Sequence, residues 1–358
     1  MVIVILFSAV LLAFAGRRKG RVTLAMGFFV LFLFAALRYM YGNDYASYYR
    51  WFLRINSGWK SPFDYEMLYT LLNRICPSFP VLIAVTSLVF ICAVYTLVKR
   101  NVSSRYAWLS LFIFVVNPYL FLMNLSAIRQ CLAMVLFMAA VPFGMERKPV
   151  RYTVLILLAT MFHKSAFLLF PVYFILQPTQ FRKRNVFAVL GMVILLVGFL
   201  DWSRITVTIA TWFGDPNYVV HASSSVGNSV RATLLTSVYF LYILLNMEKL
   251  KGKTLVYAKL SLLGYTLGIL AFRIAMMTRV QMYFDIYSIV TLPNILEAVN
   301  REGKIRVSLV NPQETVWKCI NKYVLPALIL AIYLLRIYSF AANPRWRSFI
   351  TYRTVFDA

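Results

Sequence analysis

The feature that most constrains this chain is a succession of apolar runs, many close to twenty residues long, separated by short basic loops. A membrane-crossing helix needs about 20 apolar residues, because in hydrocarbon every backbone polar group must find its partner inside the segment. A soluble core is not written as many such runs in succession. The runs are continuous rather than alternating, which argues against a transmembrane barrel. The expected fold is therefore all-α, a polytopic membrane helix bundle with about 10–12 membrane helices. The whole chain, 1–358, reads as a single transmembrane domain.

The formal net charge is +25, with 37 Lys and Arg against 12 Asp and Glu. In a soluble protein that excess would suggest nucleic acid. Here no basic helix with interleaved aromatics stands apart from the apolar runs, so no nucleic-acid partner is expected. Much of the charge instead reads as orientation, since Lys and Arg favour cytoplasmic loops. Cys76, Cys92, Cys131 and Cys319 form no CxxC pair and sit mostly in apolar runs, which points to buried thiols rather than a zinc site or disulfides. The first run, 2–15, lacks a basic leader and is followed by Arg17-Arg18-Lys19, so it reads as a first span and not as a signal peptide.

With loop 17–21 inside, the spans 2–15 and 22–41 run inward and outward. Segment 42–66, rich in Tyr and Trp, is outside, and a short helix over 64–76 stops at Pro77. Spans 79–98, 106–122 and 126–145 follow, with Lys99, Arg100, Arg147 and Lys148 inside. Segment 152–177 then lies between two basic loops and is too short for two full spans. It reads as a re-entrant hairpin of two half-length helices with His163 at its apex, as backbone lining a cavity permits. The rival is one long tilted span, which would reverse the later topology. Span 185–201 leads to an outer loop, 202–229, with Asp215 and His221 and with Asp201 at its start. Spans 230–247, 255–276, 280–298 and 323–341 complete the chain. Arg273, Arg279 and Gln281 lie in an outer turn, and 300–322 is an inner loop.

This topology sends Arg38, Arg129, Lys164, Arg273, Arg279, Arg345, Arg347 and Arg353 to the outer side, against the orientation bias. A cavity that opens outward and holds an anion accounts for them, since the planar guanidinium fork matches phosphate oxygens. The segment 117–134, NPYLFLMNLSAIRQCLAM, sits at its centre. At helical spacing Ser126, Arg129, Gln130 and Ala133 share one face. An arginine inside a membrane helix costs up to ~3 kcal/mol, so it normally faces a cavity. Arg129 with Gln130 is either an anion clamp or an interhelical hydrogen-bond pair. Arg38 and Arg273 either bind or snorkel. Arg279 and Tyr283 lie four apart on one face. His163 beside Lys164, at a helix break, is placed to take or give a proton near neutrality. His221 reads as solvated. Asp44 is a turn residue, a helix cap or a catalytic base, and Asp285 a partner for Arg279 or Lys164. No metal-ligating DxD or HExxH pattern, GxSxG or complete P-loop is present, so neither a metal nor a cofactor is expected.

Four segments resemble the EpsG-type, Wzy-like polysaccharide polymerases. Arg38-Tyr39-Met40-Tyr41-Gly42-Asn43-Asp44-Tyr45, followed by Tyr48 or Tyr49, resembles that family's RxxxGxDYxxY segment. Ser126-Ala127-Ile128-Arg129-Gln130 resembles its central RQ helix, and Phe162-His163-Lys164-Ser165-Ala166 its FHxSA element. Arg279-Val280-Gln281-Met282-Tyr283-Phe284 resembles its RxxxYF element. The resemblance implies a GT-C-related glycosyltransferase in a bacterial inner membrane. It would move a glycan from polyprenyl diphosphate onto a lipid-linked repeat unit at the outer face, building O-antigen, exopolysaccharide or capsule. It also brings a flippase and a chain-length regulator into view as partners. On this reading Arg129, Asp44 and His163 are catalytic. Arg38, Tyr45, Gln130, Lys164, Arg273, Arg279 and Tyr283 bind substrate. The rivals are an O-antigen-ligase-like transferase, a non-enzymatic transporter of lipid-linked oligosaccharide and a membrane acyltransferase.

Overall fold

The computed structural model describes residues 2–16, 22–58, 66–179, 186, 189–194, 230–272, 277–302 and 312–357. The expectations for Arg273, Asp201, Asp215 and His221 lie outside these residues. Among the described residues the chain is helical apart from one antiparallel pair of two-residue strands. The helices Phe79–Asn101, Ile128–Met145 and Val316–Ala342 are long and apolar enough to cross a membrane, and shorter apolar helices accompany them. The protein is an all-α polytopic membrane protein. It divides into two compact units: Met1–Gln177 with Leu292–Glu297 and Tyr333–Ala358, and Pro178–Thr291 with Ala298–Ile332.

The first unit begins with α1 (Val2–Ala15) and α2 (Val22–Ala36), packed side by side. Gly27 permits their approach: a Cβ there would stand 2.6 Å from the Ala9 carbonyl oxygen and 2.8 Å from a Leu111 methyl. Gly27→Ala is therefore expected to cost about 1–3 kcal/mol by overpacking, measurable as a lower thermal unfolding temperature in detergent.

After strand β1 (Arg38–Tyr39) come two short amphipathic helices, α3 (Tyr45–Asn56) and α4 (Met67–Ile75). Helix α3 buries Tyr45, Tyr48, Phe52 and Ile55, at the three- and four-residue spacing of one helical face. Tyr45, Tyr48 and Phe52 join Tyr69 of α4, Phe79, Leu82 and Ile83 of α5 (Phe79–Asn101), and Ile128 and Leu132 of α8 (Ile128–Met145) in one cluster. The start of α5 thus lies beside the start of α8, so the two run parallel. Both finish at the opposite end, α5 with Lys99 and Arg100, α8 just before Arg147 and Lys148.

Between them, α6 (Ala107–Val116) ends at Asn117-Pro118, and α7 (Leu122–Ser126) is a single short helix. The helix drawn from the sequence over 126–145 does not include Ser126. Ala127 leaves helical geometry, with φ −92° and ψ 59°, and α8 starts at Ile128. Ser126 is thereby rotated off the face of Arg129. It closes α7 instead of opening α8.

Segment 149–175 forms the expected hairpin with His163 at its apex. One arm is α9 (Pro149–Phe162) and the other a 3-10 helix, Lys164–Ile175. Twelve residues at the 3-10 rise span ~24 Å, close to the ~21 Å of the fourteen-residue α-helix. Both arms therefore return to one base, where Arg147 Nε donates to Gln177 Oε1 at 3.0 Å and Gln177 Nε2 to the Gly144 carbonyl at 3.1 Å. Cys76 and Cys131 are buried, whereas Cys92 and Cys319 are exposed; all four are free thiols.

In the second unit, α10 (Val230–Asn246) and α11 (Gly252–Leu270) precede α12 (Met277–Asp285); α13 (Ser288–Glu302) follows, with its middle, Leu292–Glu297, belonging to the first unit. Helix α12 replaces the outer turn expected around Arg279 and Gln281. Gly264 and Gly268 let it lie close: Cβ atoms there would meet Asp285 at 2.9 Å and Gln281 at 3.1 Å. Four-residue spacing of small residues is a usual device of membrane helix packing. Asn246 of α10 exchanges two 2.8 Å amide hydrogen bonds with Asn321, in the π-helical stretch Ile320–Val324 that continues α14 (Pro312–Cys319).

Candidate functional site

Three chain segments meet at the apex of the hairpin, and Glu66 joins them. Glu66 stands just before α4, where its carbonyl accepts the Tyr69 and Thr70 amides at 3.1 and 3.2 Å. Its side chain does not cap the helix. The carboxylate is buried at 3% exposure and faces two groups from other segments. One oxygen accepts from the Arg129 guanidinium. The other accepts from His163 Nδ1 at 3.0 Å, with the Lys164 amide at 3.4 Å. A carboxylate only accepts, so the neutral His163 ring carries its proton on Nδ1 and its basic lone pair on Nε2.

Each position has a local cause. Arg129 lies in the first turn of α8, the end of a helix that disfavours a cation. Glu66 offsets that charge, and the Tyr48 ring lies under the guanidinium at 5.9 Å from its centroid, within cation–π range. His163 takes extended geometry, φ −156° and ψ 121°, so it closes α9 and opens the 3-10 helix. Its amide donates to Ala159 and its carbonyl accepts from Ala166.

Asp44 approaches through a second contact. Its Oδ2 accepts from Ser126 Oγ at 3.2 Å, and its amide donates to the same oxygen at 3.0 Å. Ser126 is three residues before Arg129, and Asp44 is one turn before Tyr48. Asp44 is exposed and makes no side-chain cap for α3.

The remaining candidates divide. Gln130 is buried in α8. Tyr45 is buried in the aromatic cluster, edge-on to Phe79 at 5.1 Å, where it packs the floor beneath the site. Arg38 is 2% exposed. It donates to the carbonyls of Ala35 and, at 3.1 Å, Leu125, and to Ser87 Oγ at 2.8 Å. In this state its terminal nitrogens clasp α2, α5 and α7 together through protein acceptors. Arg279 and Tyr283 belong to the second unit, where Arg279 is exposed and Tyr283 fully buried. They share a helix without sharing an environment.

Glu66 is the residue that the sequence reading passed over. A signal existed: between Gly42 and Arg129 the chain has three carboxylates, Asp44, Asp64 and Glu66. A partly buried arginine requires a counter-charge, and these were the nearby choices.

Glu66 lies outside the spanning helices, and its titration has a definite direction. Burial pushes the carboxyl up, but the His163 hydrogen bond and the Arg129 charge outweigh it and hold it below the ordinary value. A group that binds protons more weakly when folded contributes stability above its unfolded pKa, about 4.3 for Glu. That contribution is lost as pH falls through the depressed folded value. In detergent, the unfolding temperature is expected to fall more steeply below about pH 4.3 for the wild type than for Glu66→Gln.

The sequence model of the EpsG family matches residues 22–354. The chain belongs to the EpsG family. Comparison with curated proteins and with solved structures returns no match. The EpsG match runs from the start of α2 to the second strand, β2 (Arg353–Thr354), and so includes every segment that builds the Glu66 cluster. EpsG membership supports a polysaccharide-polymerase-like role, of glycosyltransferase type, for this membrane protein.

Proposed function

We propose that this protein lengthens polysaccharide by moving a glycan from a polyprenyl diphosphate onto a lipid-linked repeat unit at the outer face of a bacterial membrane. The observation that carries the proposal is the Glu66 carboxylate shared between Arg129 and His163. It sets a histidine base and a guanidinium within the width of one carboxylate. The basic residues fit the orientation. Lys99, Arg100, Arg147 and Lys148 belong to one end of the first unit and the Glu66 cluster to the other, as inner loops and an outer site require.

In the proposed reaction the acceptor hydroxyl gives its proton to His163 Nε2 as its oxygen attacks the anomeric carbon. The bond from that carbon to the diphosphate oxygen breaks, and the electron pair leaves with the diphosphate. Direct displacement inverts the anomeric centre. Glu66 fixes the tautomer of His163 and stabilises the imidazolium that forms. Arg129, with Lys164, offsets the charge gathering on the leaving group. Asp44 orients the acceptor sugar. No step calls on a metal.

The test is to incubate purified protein with a defined polyprenyl-diphosphate oligosaccharide and resolve the products by length. A ladder of longer lipid-linked glycans is expected. Transfer of one preformed chain without further growth would indicate a ligase-like transferase instead. His163→Ala is expected to lower the rate ~10²–10⁴-fold, the usual range for a positioned general base. Unchanged turnover would remove His163 from the chemistry.

A further inference from the structure

The turn that carries Asp44 is held by the far end of the chain. Between β1 and α3 the backbone twice enters the left-handed region, at Met40 (φ 49°) and Gly42 (φ 94°). For Met40 this conformation is unfavourable by ~1–2 kcal/mol, so it persists only where surroundings impose it. A Cβ on Gly42 would stand 3.3 Å from Ser126 and 3.4 Å from Phe349. The turn is therefore pressed between the Ser126 that binds Asp44 and the C-terminal segment.

That segment grips the turn from both sides. Strand β2 pairs with β1, with Arg38 opposite Thr354 and Tyr39 opposite Arg353. The Val355 amide donates to the Leu37 carbonyl at 2.9 Å, and the Gly42 amide to the Ser348 carbonyl at 3.2 Å. Tyr41 Oη donates to the Phe349 carbonyl at 2.8 Å, and Ser348 Oγ donates to Asn43 Oδ1. Tyr352 stacks on Phe34 at 4.4 Å between centroids and donates to its carbonyl at 2.8 Å. Tyr41 and Phe349 are both buried, edge-to-face at 5.5 Å. None of these groups touches Glu66, Arg129 or His163 by any contact described above. Their shared object is the end of α2 and the 38–44 turn that leaves it, which Tyr352 also meets through the Tyr41 ring at 5.5 Å.

We propose that the C-terminal strap 348–355 is a positioning element of the active end, with Tyr352 and Ser348 as the residues that fix the Asp44 turn against Ser126. The strap acts on the reaction through Asp44, which on the reading above orients the acceptor sugar. The inference rests on that reading for its catalytic meaning, and on the structure alone for its geometry.

The two parts are tested separately. Asp44→Cys and Ser126→Cys are introduced together in a background where exposed Cys92 and Cys319 are serine, and disulfide formation is followed by gel mobility. With Tyr352 intact the pair is expected to close readily. With Tyr352→Ala its closure is expected to slow at least fivefold, and with Tyr352→Phe, which keeps the stacked ring, to recover most of the wild-type rate. Unchanged closure in Tyr352→Ala overturns the proposal, whatever the enzymology shows. The milder Ser348→Ala, which deletes one hydroxyl and leaves the main-chain contact, is expected to slow closure less and serves if Tyr352→Ala does not accumulate. On the native Asp44 and Ser126 background, Tyr352→Ala is expected to lower kcat for lengthening a polyprenyl-diphosphate oligosaccharide at least tenfold, with KM for the donor within twofold. A rise in donor KM with kcat unchanged also overturns it, since the strap would then serve binding of the other substrate. If wild-type protein lengthens nothing, the polymerase reading fails and the disulfide result still decides the strap.

Discussion

Glu66→Gln is expected to reduce polymer formation at least ~10²-fold, at the lower end of what loss of a positioned acid–base group costs. The substitution keeps the volume and one acceptor oxygen but removes the charge that both neighbours use. His163 then loses the carboxylate that fixes its Nδ1 proton and stabilises its charged form. Arg129 is left in the first turn of α8 without a counter-charge. Breaking a buried pair from one side typically costs ~3–5 kcal/mol, so stability must be followed beside activity. Glu66→Asp, shorter by one methylene, keeps the charge but does not span both partners at the present 3.0 Å; it is expected to fall between wild type and Gln. The measurement is the initial rate of chain lengthening in proteoliposomes, with unfolding temperature taken on the same preparations. Gln at a rate within threefold of wild type would show that the carboxylate has no part in the reaction.

Most of the fold was legible because membrane helices are written in runs of apolar residues. The starts of α1, α2 and α5 and the hairpin apex at His163 follow from the sequence alone. Less legible was what depends on local geometry or on distant chain. Ala127 breaks the helix before Arg129 without a proline or glycine to announce it. Arg38 carries the residue type and place of an anion ligand, yet its two terminal nitrogens donate to Ser87, Ala35 and Leu125. No periodicity predicts that three acceptors from different segments converge on one guanidinium. The strap is a further case: Tyr352 and Phe34 are 318 positions apart, and the tail has no apolar run to mark its docking.

Glu66 shows the same limit from the other side. A carboxylate beside a helix start reads first as a capping or solvated residue, and here its main chain does open α4 while its side chain serves the site. What distinguishes it is a requirement of Arg129 rather than anything in its own neighbourhood. In a chain with 37 basic and 12 acidic side chains, counting the carboxylates available to each apolar-run arginine is more informative than inspecting the arginines one by one.

Arg129→Ala is expected to leave the protein in the membrane and lower polymer formation ~10²–10³-fold, as for removal of one donor from a developing anion. Two roles are separable. If Arg129 only holds Glu66, its loss and the loss of the Glu66 charge damage one unit, and Glu66→Gln/Arg129→Ala is no worse than the poorer single variant. If Arg129 also meets the donor diphosphate, the double variant is worse than either. Arg129→Lys keeps the charge but not the planar fork, and is then expected to recover only part of the rate. The proposed mechanism requires the second outcome, because His163 Nε2 is engaged with the acceptor hydroxyl and the departing diphosphate needs a donor of its own. Long polymer from Arg129→Ala would remove guanidinium stabilisation by Arg129 from the reaction and leave Lys164 to offset the charge.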